Sequence, residues 1–196
     1  LAGANPDSVA RFLQQVGQLG VAPTFGFIPD QRRTDAYTGL ARLDWTITDE
    51  HTLTLRGDIN RNTQGAASVN AFAVPSFGGD RRGTGGGLLA SLTSRFGDEV
   101  FGGTLINEAK VYANASGNRG APYVQLPASR VRVTSALEDG TTGVSTLSFG
   151  GNPGLFNDDT QDYVEATNEL SWQSPEGGHR VKLGGLVNAS RYDQWT

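Results

Sequence analysis

From Tyr37 onward the chain repeatedly adopts a period of two, in runs of about 10 to 14 residues that exceed the ordinary length of strands in soluble sheets. In the first run Tyr37, Gly39, Ala41, Leu43, Trp45 and Ile47 oppose Thr38, Leu40, Arg42, Asp44 and Thr46. After a short TDE turn, Leu53, Leu55 and Ile59 oppose Thr52, Thr54, Arg56, Asp58, Asn60 and Asn62. The same alternation returns over 87–96 (Leu88, Ala90, Leu92, Phe96) and 105–116 (Ala109, Val111, Ala113 against Glu108, Lys110, Tyr112). It returns again over 163–172 (Val164, Ala166, Leu170, Trp172 against Glu165, Thr167, Glu169) and 179–192 (Val181, Leu183, Val187, Ala189 against Arg180, Lys182, Asn188). Six strands with one apolar and one polar face follow, paired as hairpins. In the first hairpin, opposing Arg42 to Asp58 and Asp44 to Arg56 pairs opposite charges, so that register is expected over one that faces Arg42 with Arg56.

The connections divide into two kinds. Those inside the hairpins are short. Those between hairpins, 63–86 and 117–162, span about 24 and 46 residues, far above the usual loop. The longer one holds two short β-like pieces, VRVTSAL and GVSTLSF, and the turn-rich GGNPGLFNDDTQD. Short turns at one end and long loops at the other, on strands long enough to cross a bilayer when tilted, are the pattern of a transmembrane β-barrel. Trp45, Phe96 and Trp172 lie by the short turns, and Tyr37, Tyr192 and Trp195 toward the long loops, as two interfacial belts would require. A soluble sandwich with aromatic corners produces a similar alternation.

Before the strands, 7–20 reads as one short helix. Asp7 or Ser8 is the expected cap, Val9, Phe12, Leu13, Val16 and Leu19 form the apolar stripe, and Gly20 closes it. Residues 21–36, with Pro23, Gly26, Pro29 and Asp30, read as loop. The chain is thus expected to be all-β. It reads as a single partial barrel segment, an antiparallel long-stranded meander of about six strands, over 1–196. Its parts are loop and helix 1–36, hairpin 37–62, long loop 63–86, hairpin 87–116, long loop 117–162 and hairpin 163–196.

Composition excludes several chemistries. There is no Cys, hence no disulfide, thiolate nucleophile or thiolate metal site. No apolar run is long enough for a transmembrane helix. The net charge of −4 argues against a nucleic-acid partner. Leu at position 1 and the lack of Met lead us to expect a processed product or an internal fragment.

No catalytic, cofactor or metal site is expected. Asp58, Asn60 and Asn62 imitate a calcium loop, but Thr63 and Val69 stand where Gly and Glu are required. Asn157, Asp158, Asp159 and Asp162 form an acidic turn without ligand spacing, so calcium there stays an open question. Gly85, Gly87 and Ala90 match a dinucleotide fingerprint outside its strand–turn–helix context. His51 and His179 each open a strand after a turn, without a convergent partner set. The sequons at Asn114 and Asn188 fall inside strands. The charged residues of the polar faces read as a mutually compensated, hydrated wall.

The segments RLDWTITDEHTLTLRGDINRN, SLTSRFGDEVFGGTLINEAKVYANAS, FGGNPG and NELSWQSPEGGHRVKLGGLVNASRYDQ resemble the barrel of TonB-dependent outer-membrane receptors, most of all the large Oar-like members with a carboxypeptidase-regulatory-like extension. The resemblance runs from about residue 7 onward. It implies six of the roughly 22 strands of a plugged barrel. It also implies an outer-membrane location, contact with lipid, with the rest of the barrel and with the plug, coupling to the TonB system, and uptake of a large nutrient by a protein that is not an enzyme. The alternatives are a structural or adhesive protein assembling through its strand edges, and a soluble all-β ligand-binding domain.

Overall fold

The computed structural model describes residues 4–21, 32–100, 102–137 and 139–195. Helix α1 (Pro6–Gln18) is followed by β1 (Thr34–Thr46), β2 (His51–Ala67), β3 (Gly79–Val100), β4 (Gly103–Pro122), β5 (Ser129–Ala136), β6 (Thr142–Phe149), β7 (Asp158–Gln173) and β8 (Arg180–Trp195). Six of these form one antiparallel meander in the order β1-β2-β3-β4-β7-β8, and β5 and β6 form a separate hairpin. The chain is all-β with one short helix, as the period of two requires. The sheet is open, with β1 and β8 at its edges.

The first hairpin adopts the other register. Arg42 stands opposite Arg56, Asp44 opposite Thr54 and Leu40 opposite Asp58. The turn decides it: the Ile47 amide donates to the His51 carbonyl at 2.9 Å, which sets Thr46 against Thr52. Leu43 then meets Leu55 and Trp45 meets Leu53. Arg42 finds its counter-charge along its own strand, 2.8 Å from Asp44, which also accepts from the Thr54 hydroxyl at 2.6 Å. An exposed cross-strand ion pair is worth only about 0.2–1 kcal/mol, too little to outweigh turn closure and a matched apolar face.

Register then carries that face across the whole sheet. Leu43, Leu55, Ala90, Val111, Ala166 and Val187 stand side by side on six strands. The next row, Ala41, Gly57, Leu88, Ala113, Val164 and Ala189, is equally free of polar side chains. Among the described residues nothing is packed against this face: Leu88 is 70% and Val187 74% exposed.

The apolar band is oblique. On β1 it runs from Trp45 to Tyr37, with Asp35 beyond; on β8 it runs from Val181 to Ala189, with Arg191 beyond. The row through Trp45 reaches β7 at Asn168, whereas the corresponding tryptophan on β7 is Trp172. Four residues of stagger, about 14 Å, over four strand steps, about 19 Å, give an inclination of about 36°. Nine residues inclined by that angle stand about 22 Å tall.

The buried core lies elsewhere. Phe12 and Val16 of α1, with Val21, Val74 and Leu147, form one cluster, flanked by Leu13, Val131, Val133 and Phe149. Thus α1, the 68–78 connection and the β5–β6 hairpin condense into a cap at the long-loop end of the sheet. Parallel bridging of Ala73 to Ser148 ties the two long connections together. The helix is capped by Asn5, whose side chain accepts from the Asp7 amide, rather than by Asp7 or Ser8. Its last turn closes on Leu19, with Gly20 left-handed at φ +85°.

The strands also overrun the expected hairpins. β2 extends to Ala67, β3 starts at Gly79, β4 ends at Pro122 and β7 starts at Asp158. The loops expected at 63–86 and 117–162 are therefore strand at both ends, and the 117–162 segment carries a hairpin of its own. The loop expected at 21–36 falls largely outside the described residues. Tyr192 pairs with Gln161 on the polar face, so Tyr37 and Trp195 are the members of the expected upper belt that share the apolar face.

Candidate functional site

The polar face of the sheet is the broadest chemically functional surface. Alternation places Arg42, Asp44, Arg56, Asp58, Glu108, Lys110, Glu165, Glu169, Arg180 and Lys182 all on it, five basic and five acidic. Register sets like charges opposite one another twice, at Arg42 and Arg56 and at Glu108 and Glu169. Three of these four close on a neighbour of opposite sign. Arg42 takes Asp44, Glu108 takes Lys110 at 2.8 Å, and Glu169 takes Lys182 of β8. The face is a compensated wall, and each of those pairs is substantially exposed.

Its centre carries few charges. On β3, Gly83, Gly85 and Gly87 line up on the polar side, opposite Asn62, Asn60 and Asp58 of β2 and Asn118, Ser116 and Asn114 of β4. The missing side chains let the neighbours lean in. A Cβ on Gly87 would sit 2.8 Å from the Tyr112 hydroxyl, and one on Gly83 2.4 Å from the Asn62 amide oxygen. The Asn114 amide donates to the Gly86 carbonyl at 2.9 Å, and the Tyr163 hydroxyl donates to Glu165, with the Tyr112 and Tyr163 rings 6.2 Å apart. The surface that results is rich in amides and phenols. Asp58, Asn60 and Asn62 thus occupy successive polar-face positions of a strand, not a calcium loop.

The long-loop end closes over this face. Segment 150–157, with its one-turn helix Pro153–Leu155, folds onto the extensions of β3 and β4. Leu155 is fully buried beside Gly79 and Gly120, and Arg81 donates to the Gly154 carbonyl at 3.2 Å. A Cβ on Gly120 would lie 2.3 Å from the Leu155 carbonyl oxygen, so only glycine admits the loop there. Those two glycines are the signal the sequence carried for this contact, legible only once β3 and β4 are known to run that far.

The expected acidic turn is mostly strand. Alternation sends Asp158 and Asp162 to the apolar side and Asp159 to the polar side, where it accepts from the Asn157 amide at 3.1 Å. Among the described residues no three His, Cys, Asp or Glu side chains converge as a metal site. Gly85, Gly87 and Ala90 lie within β3, and Asn114 and Asn188 within β4 and β8. His51 stands edge-on to Phe96, ring centres 6.3 Å apart, and the His179 amide donates to the Ser174 hydroxyl. Searches against protein-family models and against curated proteins find no match to this chain.

Proposed function

We propose that this chain forms six strands of the wall of an outer-membrane β-barrel receptor of the TonB-dependent class its sequence resembles, serving the uptake of a large nutrient. The observation that carries the reading is the oblique apolar band. Outer-membrane barrels tilt their strands by about 35–45° and present an apolar belt about 25 Å tall; the inclination of about 36° and height of about 22 Å match both. A soluble sheet has no reason to stagger its apolar edge in this way while leaving the face uncovered.

On this reading the apolar face meets lipid and the polar face lines the lumen, where it meets the plug and the passing solute. The edges of β1 and β8 pair with further strands of the barrel, because open edges in lipid leave backbone groups unsatisfied. The short turns face the periplasm and the cap faces outward. The same unpaired edges support assembly with other copies as the second reading.

Substituting Leu55→Arg and, separately, Thr54→Arg in the complete protein tests the topology. Unfolding in lipid should show a cost of about 2–4 kcal/mol for Leu55→Arg and much less for Thr54→Arg. Equal costs at the two adjacent positions sink the reading.

A further inference from the structure

The two edges of the sheet complement each other. In the first hairpin the Ile47 amide donates to the His51 carbonyl, and in the last the Ser174 amide donates to the His179 carbonyl at 3.0 Å. Bonding in an antiparallel ladder alternates along each strand. The odd-numbered residues of β1 and β8 therefore bond inward, and the even-numbered residues of both turn their N–H and C=O groups to the free edge. Successive strands of the meander alternate in direction, so β1 and β8 run opposite ways. The β8 edge of one copy thus accepts the β1 edge of another as its next antiparallel strand, apolar face beside apolar face.

One register suits both faces. With Trp45 set against Val181, the apolar bands of the two strands match from end to end, Leu43 against Leu183 and Tyr37 against Ala189. Beyond the band Asp35 meets Arg191 and Arg33 meets Asp193. These four already form ion pairs along their own strands, at 2.8 Å and 2.7 Å, and side by side they make a square of alternating charge. On the polar face Asp44 meets Lys182, and Leu40 meets Leu186, the exposed leucines that interrupt the polar side of the two edge strands. A slip of two residues one way sets Arg33 against Arg191 and Arg42 against Lys182; the other way it sets Asp35 against Asp193. Like charges directly opposite destabilise a pairing. A slip of one residue joins the apolar face of one strand to the polar face of the other.

Resting on the second reading above, in which unpaired edges join copies, we propose that β1 of one copy adds to β8 of another in this register. The partner is a second copy of this chain, and the wall is built from repeated six-stranded sheets. Such an interface is heterologous and adds copies head to tail, closing into a ring where the rotation allows. Main-chain hydrogen bonds supply the affinity. The alternating charges and the matched bands fix the register.

The chain has no cysteine, so introduced thiols report the contact directly. Leu43→Cys and Leu183→Cys are placed in separate, differently tagged copies of the complete protein, which are co-expressed and oxidised mildly. The two positions are opposite each other without mutual backbone bonds, about 4.5 Å apart at Cα, within disulfide reach. A disulfide between the two tagged copies is expected. Leu43→Cys with Val187→Cys, displaced by four residues or about 13 Å, should give none. Asp35→Arg in the Leu43→Cys copy should lower the cross-linked fraction about tenfold, equivalent to roughly 1.4 kcal/mol. Arg191→Asp in the Leu183→Cys copy should restore it. Circular dichroism reports the β content of each variant; should one misfold, Ala41→Cys with Gly185→Cys reads the same register, since a side chain at Gly185 meets nothing within 4 Å. Equal cross-linking at Val187→Cys, or a charge exchange without rescue, overturns the register. Cross-links that form only when both thiols share one chain overturn the second copy as partner. Tagged copies that never associate overturn the second reading with it and leave the edges to further strands of the same chain, as the first reading has them.

Discussion

Tyr123 joins three segments that lie far apart in the chain. Its hydroxyl donates to Asp80 at 2.9 Å and accepts from the Ala66 amide at 3.1 Å, pinning the ends of β2, β3 and β4 together. Burial, reinforced by the bond to Asp80, pushes the phenol above its usual range. A folded-state value above the unfolded one means that the neutral phenol contributes its stability in full below about pH 10. That contribution is lost as pH rises through the folded value. Tyr123→Phe should therefore cost about 1 kcal/mol near neutrality, at the low end for a half-exposed hydroxyl, and abolish this part of the alkaline loss. Amide exchange at Ala66 measures both. At this scale the face of each residue is legible in the sequence, because the period of two has no competing explanation. Partners are less so: Arg42 faces Arg56 because a backbone turn outweighs an exposed charge pair.

At the scale of elements, the helix and the two β-like pieces are each readable in the sequence. Their union is not. The α1 stripe of Phe12 and Val16 meets Val131, Val133 and Leu147 of the β5–β6 hairpin, more than a hundred residues later. Nothing in local periodicity announces such a pairing, whereas adjacent strands announce theirs through a short turn. Two further contacts anchor the helix start: the Asn5 amide donates to the Ser135 hydroxyl at 3.0 Å, and the Asn5 side chain to the Ala136 carbonyl. Leu147, fully buried at the centre, is the keystone of this cap. Leu147→Ala should cost the cap about 2–5 kcal/mol through lost burial and the cavity left behind. Hydrogen exchange should then show α1, β5 and β6 losing protection together while β1 to β4 keep theirs, since among the described residues the cluster around Leu147 includes none from the six-stranded sheet. Uniform loss across both would refute the independence of cap and sheet.

At the scale of the whole molecule, low mean hydropathy and many glycines suggest a loosely packed chain until the residues are sorted by face. Sorted, they give an oblique apolar band crossed on β4 and β7 by the hydrogen-bonded Asn107–Asn168 pair, a compensated polar wall and a cap. The strands themselves were legible because each carries its own alternation. The obliquity was not, because it exists only in the registers between strands. It also supplies a test that a flat sheet in water cannot pass. Ala41 and Ala189 belong to one hydrogen-bonded row. Ala41 lies midway along the β1 band between Trp45 and Tyr37, whereas Ala189 ends the β8 band beside Arg191. With strands tilted in a bilayer, Ala41→Arg should cost about 2–4 kcal/mol and Ala189→Arg only about 0–1. Gly185→Arg, four residues back toward the short turn, should restore the larger cost on β8. Measured by unfolding in lipid, a penalty that follows the row instead of the oblique band would place the strands upright and remove the membrane as the cause of the stagger.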